Sequence, residues 1–483
     1  HIITLTFLAM NHSKRFLFVL RCFAAFLLCA SVLSCCSQDQ SKVIKTDVPV
    51  RPSGQSDVLG LRTAPLDTVR VGFVGLGGRG SFAVYRYASV PWTRIVALCD
   101  IEPDRVQKNV EFLEEKGMPA PAVYTGDEGF KRMCERDDID LVYICTDWKN
   151  HTPVALYALD HGKHAAIEVP SATSLDECWA LVDAAERNRR HCMMLENCCY
   201  DFFELSALEM ARSGVFGELL HAEGSYHHNL TDYWDGYWRN WRLDFNSGHK
   251  GDVYPTHGLG PVCQAMNIHR GDRMKTLVAM ETRSVNGVKS VKRYQGIDMP
   301  DFQNGDQTCT MISTELGKTI LIEHNVMTPR PYDRMYQLVG SDGYAAKYPV
   351  EQFNLRKEKM TEAGIDFDED FNIHGPLSAE QAKALYARYP SPILDKDLEE
   401  LAKRVGGHGG MDFLMDYRLI YCLHYGLPLD MDVYDLAEWC SISELGAISI
   451  AHGSAPVEVP DFTRGAWDRI DGFSYAFADG SFK

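Results

Sequence analysis

The segment Thr68-Val69-Arg70-Val71-Gly72-Phe73-Val74 runs without a break into Gly75-Leu76-Gly77-Gly78-Arg79-Gly80. Its first half, apolar and β-branched, predicts a buried strand, and residues 81–88 beyond it suit a helix. G-x-G-x-x-G between a strand and a helix is a dinucleotide-binding turn, and each glycine has a physical reason. Gly75 permits the tight turn, Gly77 lets a pyrophosphate approach the backbone, and Gly80 lets the helix pack closely. The helix N-terminus then faces the anion. Twenty residues past Gly80, a second strand Arg94-Ile95-Val96-Ala97-Leu98-Cys99 ends in Asp100. A carboxylate there accepts both ribose hydroxyls and repels a 2′-phosphate, so the cofactor expected is NAD, not NADP.

Two more strands are predicted over residues 141–146 and 164–168, with a helix over 153–162 that has Pro153 in its first turn and Gly162 at its end. Alternating strands and helices give a parallel sheet with binding loops at the strand ends. Trp148-Lys149-Asn150-His151 and Glu168-Val169-Pro170 are two such loops. The dinucleotide-binding Rossmann domain is assigned to residues 67–195 and a second domain to 196–483.

The 483 residues are 45% apolar, 24% charged and 11% aromatic, which excludes a disordered chain, a collagen-like repeat and a small disulfide scaffold. Lys plus Arg is 49 against Asp plus Glu 66, a net charge of -17, and there is no basic run, so nucleic acid is not an expected partner. Lys14-Arg15 followed by an apolar run to Leu33 and then Ser34-Cys35-Cys36 reads as an export leader ending in a lipoprotein cleavage site. A single membrane-spanning anchor is the alternative. Residues 1–36 are therefore assigned as leader and 37–66, rich in Ser, Gln, Asp, Pro and Gly, as a linker. The expected location is the bacterial cell envelope, with lipid as the membrane attachment. Cysteines outside the leader show no metal-ligand spacing, so buried free thiols and no metal are expected.

In the second half, Ser225-Tyr226-His227-His228 closes an alternating run, and residues 233–242 are dense in Trp, Tyr, Arg and Asn. Aromatic faces beside planar donors suit a pyranose, whose C–H faces stack while its hydroxyls hydrogen-bond. His257 sits in Tyr254-Pro255-Thr256-His257-Gly258, where Pro255 stiffens the backbone and Gly258 permits an unusual turn. It is the candidate for proton transfer. His227, His228 and His249 read as structural, and His408 is divided between the two roles.

These motifs resemble the Gfo/Idh/MocA oxidoreductase superfamily, which pairs an N-terminal Rossmann domain with a C-terminal α+β open-sheet domain. Ordinary dehydrogenases of that superfamily have Lys where Val169 stands and Asp where Val253 stands. The sequence is more similar to glycoside hydrolase family 109, the NAD-dependent α-N-acetylgalactosaminidases, through Gly75 to Gly80, Glu168-Val169-Pro170, Glu196-Asn197-Cys198-Cys199-Tyr200, residues 254–261 and His408-Gly409-Gly410-Met411-Asp412-Phe413. The resemblance implies that Gly75, Gly77, Gly78, Arg79, Gly80, Asp100, Trp148, Lys149, Asn150, His151, Glu168, Val169 and Asn197 touch NAD. It also implies that Tyr226, Arg242, Tyr254, Pro255, Thr256, His257 and Tyr332 touch the sugar. The implied reaction is redox-assisted cleavage without net oxidation, with His257 and Tyr254 in proton transfer. Asp201 and Asp252 depart from the family pattern, where Gly and Asn are expected. A homo-oligomer acting on a glycan with terminal N-acetylgalactosamine is the expectation. A sugar or cyclitol dehydrogenase and a non-catalytic glycan-binding lipoprotein are the alternatives.

Overall fold

The structure is a computed structural model that describes residues 43–483. The leader, Lys14-Arg15 and Cys35-Cys36 lie outside the described residues. The first sheet contains β1 (Val69–Val74), β2 (Thr93–Asp100), β3 (Ala122–Thr125), β4 (Leu141–Ile144), β5 (His164–Ile167) and β6 (Cys192–Met194). All are parallel, in the order β3-β2-β1-β4-β5-β6. The order reverses direction between β1 and β4, which opens a crevice at their C-terminal ends. Buried on both faces, β1 and β4 are almost wholly apolar, as parallel central strands require.

The second sheet contains β7 (Leu219–His227), β8 (Met274–Glu281), β9 (Thr308–Thr314), β10 (Thr319–Asn325), β11 (Gln337–Gly340), β12 (Gly343–Ala346), β13 (Gln352–Leu355) and β14 (Val457–Glu458). Its order is β13-β12-β11-β7-β10-β9-β8-β14, antiparallel except for β7 against β10. The helices Thr256–Ala265 and Val433–Ala451 pack against β7 and β8, and the latter also packs on the helix Leu175–Asn188 of the first domain. The fold is thus a Rossmann domain followed by an α+β open-sheet domain.

The structure corrects two readings. The helix after β4 spans Trp148–Asp160, so Trp148 to His151 form its first turn and are not a loop. Asp147 caps it by accepting the Asn150 N–H at 3.2 Å. Pro153 falls in the second turn, where its missing N–H forgoes only the bond to Lys149. The linker expected over 37–66 is packed onto the body from residue 44 onward. Ile44 pairs with the start of β14 through bonds of 2.8 and 2.9 Å, Val58 and Leu61 are buried, and Arg51 pairs with buried Glu186 at 2.8 Å. The polar composition of that stretch masked a few spaced residues whose partners lie far along the chain.

Candidate functional site

One cavity of about 1030 Å³ lies where the crevice of the first sheet meets the second domain. On the first-domain side the wall is built around the glycine turn. Gly75 has φ +86°, and a Cβ there would fall 2.5 Å from the Cys145 carbonyl oxygen. A Cβ on Gly80 would fall 1.8 Å from the Gly75 carbonyl oxygen, so Gly80 serves packing and does not itself line the cavity. At Gly77 nothing lies closer than Arg105 Nη1 at 4.0 Å, and Gly78 faces open space. The helix Gly78–Tyr87 starts without a side-chain cap or an acidic residue in its first turn, which leaves its N–H groups for an anion. Asp100 ends β2 at the cavity wall, with Oδ2 accepting the Leu76 N–H at 2.6 Å. These residues fit a dinucleotide held by a glycine turn, a helix terminus and a ribose carboxylate.

Arg79 locks this wall to the rest of the molecule. Its guanidinium pairs with Glu168 and Asp412, each at 2.7 Å, and Asp412 also accepts from Asn197 at 2.5 Å and lies 3.0 Å from His408 Nδ1. Burial opposes the charge on Arg79, but Glu168 and Asp412 outweigh it and push its pKa up. Buried His151 sits between the carbonyls of Pro170 and Thr146, at 2.8 and 3.0 Å, and ties two strand-end loops together. Burial holds its pKa below the usual histidine range.

The opposite wall is made of side chains from the second domain. The helix Thr256–Ala265 crosses β7 so closely that a Cβ on Gly258 would fall 2.4 Å from Ser225 N, and one on Gly224 would fall 2.1 Å from the Gly258 carbonyl oxygen. Gly258 therefore serves close approach, not the unusual turn read from sequence. This crossing brings Tyr226 of β7 against Tyr254, stacked with centroids 4.5 Å apart. Arg242 lies 4.7 Å from the Tyr254 ring and 5.0 Å from Trp148, and it donates to the Tyr237 hydroxyl at 2.6 Å. Its Nε and Nη2 are buried without a partner. Burial opposes the Arg242 charge, but Tyr237, Tyr226 and Tyr254 raise its pKa, so it stays a cation. Burial also raises the pKa values of Tyr226 and Tyr254, which remain protonated donors. Tyr254 Oη lies 3.4 Å from His257 Nε2.

Not every expected residue reaches the cavity. Lys149 is exposed, Thr256 is buried, and Pro255 precedes the first turn of the helix; none of the three lines the wall. Tyr332, partly exposed, does line it. His227 bonds Ser225 and lies 3.2 Å from Glu323, and His249 stacks on Phe245, both structural roles, whereas His408 lines the cavity. His228 corrects its structural reading: it lines the cavity and lies 2.8 Å from the Tyr226 hydroxyl. Burial, then Arg242 and His257, bring its pKa down to about 4, so it is neutral and accepts that proton. Asp201 caps the helix Phe202–Arg212 and pairs with Arg334 at 2.8 Å and Lys347 at 2.6 Å, away from the wall.

Two features have no sequence signal. Glu196 Oε1 lies 2.7 Å from His257 Nδ1, across 61 residues of chain. The stretch 233–241 crosses from the second domain to the Asp100 end of the cavity. There Arg105 lies 5.1 Å over the Trp238 ring, Arg239 lies 4.0 Å over it, and Arg239 reaches Glu102 at 3.8 Å. Arg239 and Asn240 hold φ of 53° and 55°, a left-handed pair without glycine.

A glycine turn with a ribose carboxylate, on a Rossmann sheet joined to an eight-stranded open sheet, defines an NAD-binding protein of the Gfo/Idh/MocA type. The family model for the NAD-binding Rossmann fold of that oxidoreductase family matches residues 69–196, and the model for the glycosyl hydrolase 109 C-terminal domain matches residues 200–469. The chain is 58% identical over 456 residues to glycosyl hydrolase family 109 protein 1 of Bacteroides thetaiotaomicron, covering 94% of this chain and 97% of that protein. It is 59% identical over 437 residues to a family 109 protein of Porphyromonas gingivalis, covering 90% and 93%. It belongs to glycoside hydrolase family 109, NAD-binding glycosidases. Among solved structures, levoglucosan dehydrogenase with NADH and L-sorbose shares the fold at TM-score 0.61 and 17% identity, over 82% of this chain and 100% of that one. The scyllo-inositol dehydrogenase of Lactobacillus casei does so at 0.56 and 13%, over 82% and 99%.

Proposed function

We infer that this enzyme removes terminal α-linked N-acetylgalactosamine from glycans by transient oxidation at C3, elimination across C1–C2 and addition of water. The observation that carries the reading is the composition of the cavity wall. Tyr254, His257 and the unsatisfied Arg242 face a dinucleotide groove, and the wall carboxylates Asp100, Asp127, Asp147 and Glu168 all belong to the dinucleotide domain. No carboxylate pair brackets the sugar side among the described wall residues, so hydrolysis by two opposed carboxylates lacks its parts there.

When bound, NAD supplies a hydride acceptor and donor, which makes the C2 proton acidic while C3 is a ketone. Gly75, Gly77, Gly78, Arg79, Asp100 and Glu168 would hold it. Tyr254 and His257 form the proton path to C2, with the hydroxyl as donor and the imidazole as acceptor. Arg242 offers its free Nε and Nη2 hydrogens to the oxyanion that forms as the C2 proton leaves. Tyr226, held by His228, and Tyr332 orient the ring.

The test is hydrolysis of p-nitrophenyl α-N-acetylgalactosaminide in D₂O without added NAD. The expected product carries deuterium at C2, and accumulation of NADH would instead mark net oxidation by a dehydrogenase. An unlabelled product overturns the reading. We further propose that the enzyme is lipid-anchored at Cys35 or Cys36 outside the cytoplasm and is exported folded with NAD bound, Lys14-Arg15 serving as a degenerate twin-basic signal. A membrane-anchored, NAD-loaded enzyme in a strain lacking the twin-arginine translocase would refute that route.

A further inference from the structure

Glu196 follows β6 by two positions and is the last residue of the matched Rossmann segment. Its exposure is 0%. Oε1 accepts the Cys198 N–H at 3.1 Å and faces His257 Nδ1 at 2.7 Å, while Oε2 has no hydrogen-bond partner. Capping the turn Asn197–Tyr200 explains the first contact but not the second. The side chain is also boxed in: a Cβ on Gly260 would come within 2.9 Å of Glu196 Cγ. Four residues before His257 stands Val253, so no carboxylate comes from that position of the chain.

We propose that Glu196 is the positioning residue of the proton-transfer pair, accepting the Nδ1 proton of His257 and so fixing the neutral ring in the tautomer whose Nε2 lone pair faces Tyr254 and the sugar. This rests on the reading of His257 as a proton-transfer group. A carboxylate at Nδ1 does two things for such a ring. It selects the tautomer, and it balances the positive charge when Nε2 takes a proton from C2; the charge disappears when that proton is passed on. Burial alone would push Glu196 up, but the adjacent His257 and the hydrogen bonds around the carboxylate hold it below the usual range. Cys198 lies within ligand reach of both side chains, so a bound metal is the competing use of the same trio.

Glu196→Gln keeps the volume and an acceptor oxygen but removes the charge. The expected result is a fall in kcat of about 10²-fold or more, with KM little changed and one NAD per chain retained. The acidic limb of the kcat profile should move to lower pH. Tyr226, Tyr254, Cys198 and His228, the other titratable groups around the ring, are all present in the variant, so such a move belongs to Glu196. Glu196→Asp should restore part of the rate, and Glu196→Gln should add nothing to His257→Ala. An unmoved pH profile, or a loss that adds in full to that of His257→Ala, overturns the proposal. Activity lost to a chelator and restored by Zn²⁺ also overturns it. Should the variant fail to fold, ¹⁵N shifts of the wild-type His257 ring decide: Nδ1 protonated and Nε2 bare supports the proposal, and the opposite tautomer overturns it.

Discussion

On the dinucleotide side of the cavity, the centre of the wall is a glycine turn, where Gly75, Gly77 and Gly78 line the cavity and Gly80 packs behind them. On the sugar side it is side chains, and they come from separate segments: Glu196 behind the wall, then Tyr226, Arg242, Tyr254 with His257, and Tyr332. The first surface is defined by atoms that are missing, the second by atoms that are present. A methyl group added at Gly75 or Gly80 should therefore break the domain, while a group removed from the second should spare the fold and stop the chemistry.

Gly80→Ala tests the first half of that contrast and carries the largest effect. With the new Cβ placed 1.8 Å from the Gly75 carbonyl, the turn must reopen, and the destabilisation should exceed about 4 kcal/mol. Thermal melting and the nucleotide released on denaturation read it. A normal melt with one NAD per chain would mean the turn is softer than its geometry indicates. His257→Ala tests the other half. We expect kcat to drop by about 10²-fold or more, with NAD content near wild type, and an unchanged kcat would reassign the ring to structure.

Asp252 sharpens the comparison, because it lies on the sugar side yet should act on the fold. Its Oδ1 accepts the Tyr254 N–H at 2.8 Å, and Oδ2 is buried without a partner. Burial pushes its pKa up to about 7, against 3.8 for a free Asp. The folded protein therefore holds this proton more tightly than the unfolded chain. Stability attached to the group is complete below about pH 4 and is lost as pH rises through about 7. Asp252→Asn keeps the acceptor and cannot ionise. Its gain in stability over wild type, followed by denaturant melts at each pH, should grow from pH 4 to pH 8, by at most about 4 kcal/mol. A gain independent of pH would show that Asp252 is not the titrating group. The smallest effect is expected from Trp238→Ala. Loss of its stacking against Arg105 should speed NAD release by about 3- to 30-fold, read by competition with excess NADH, with kcat at saturating NAD unchanged. An unaltered release rate would separate the crossing stretch from the cofactor.

The same contrast explains what the sequence discloses. Sterics act between neighbours in the glycine turn, so Gly75, Gly77, Gly80 and Asp100 are legible from spacing alone. The second domain is legible as chemistry, a crowd of Tyr, Trp, Arg and His, but not as geometry. Nothing in Glu196 or His257 records that they meet across 61 residues. His228 reads as structural because a lone histidine usually is, and its bond to Tyr226 and its closeness to Arg242 appear only once β7 and the helix Trp241–Gly248 are in place. Residues 44–66 mislead in the other direction, since polar composition conceals Ile44, Val58 and Leu61.

The stretch carrying Trp238 and Arg239 belongs to the second domain but reaches the Asp100 end of a groove formed by the first. The groove before and after the chain is complete is therefore not the same surface. A first domain that folds during synthesis presents a groove without this crossing, whereas the finished chain presents it with Trp238 and Arg239 already across its Asp100 end.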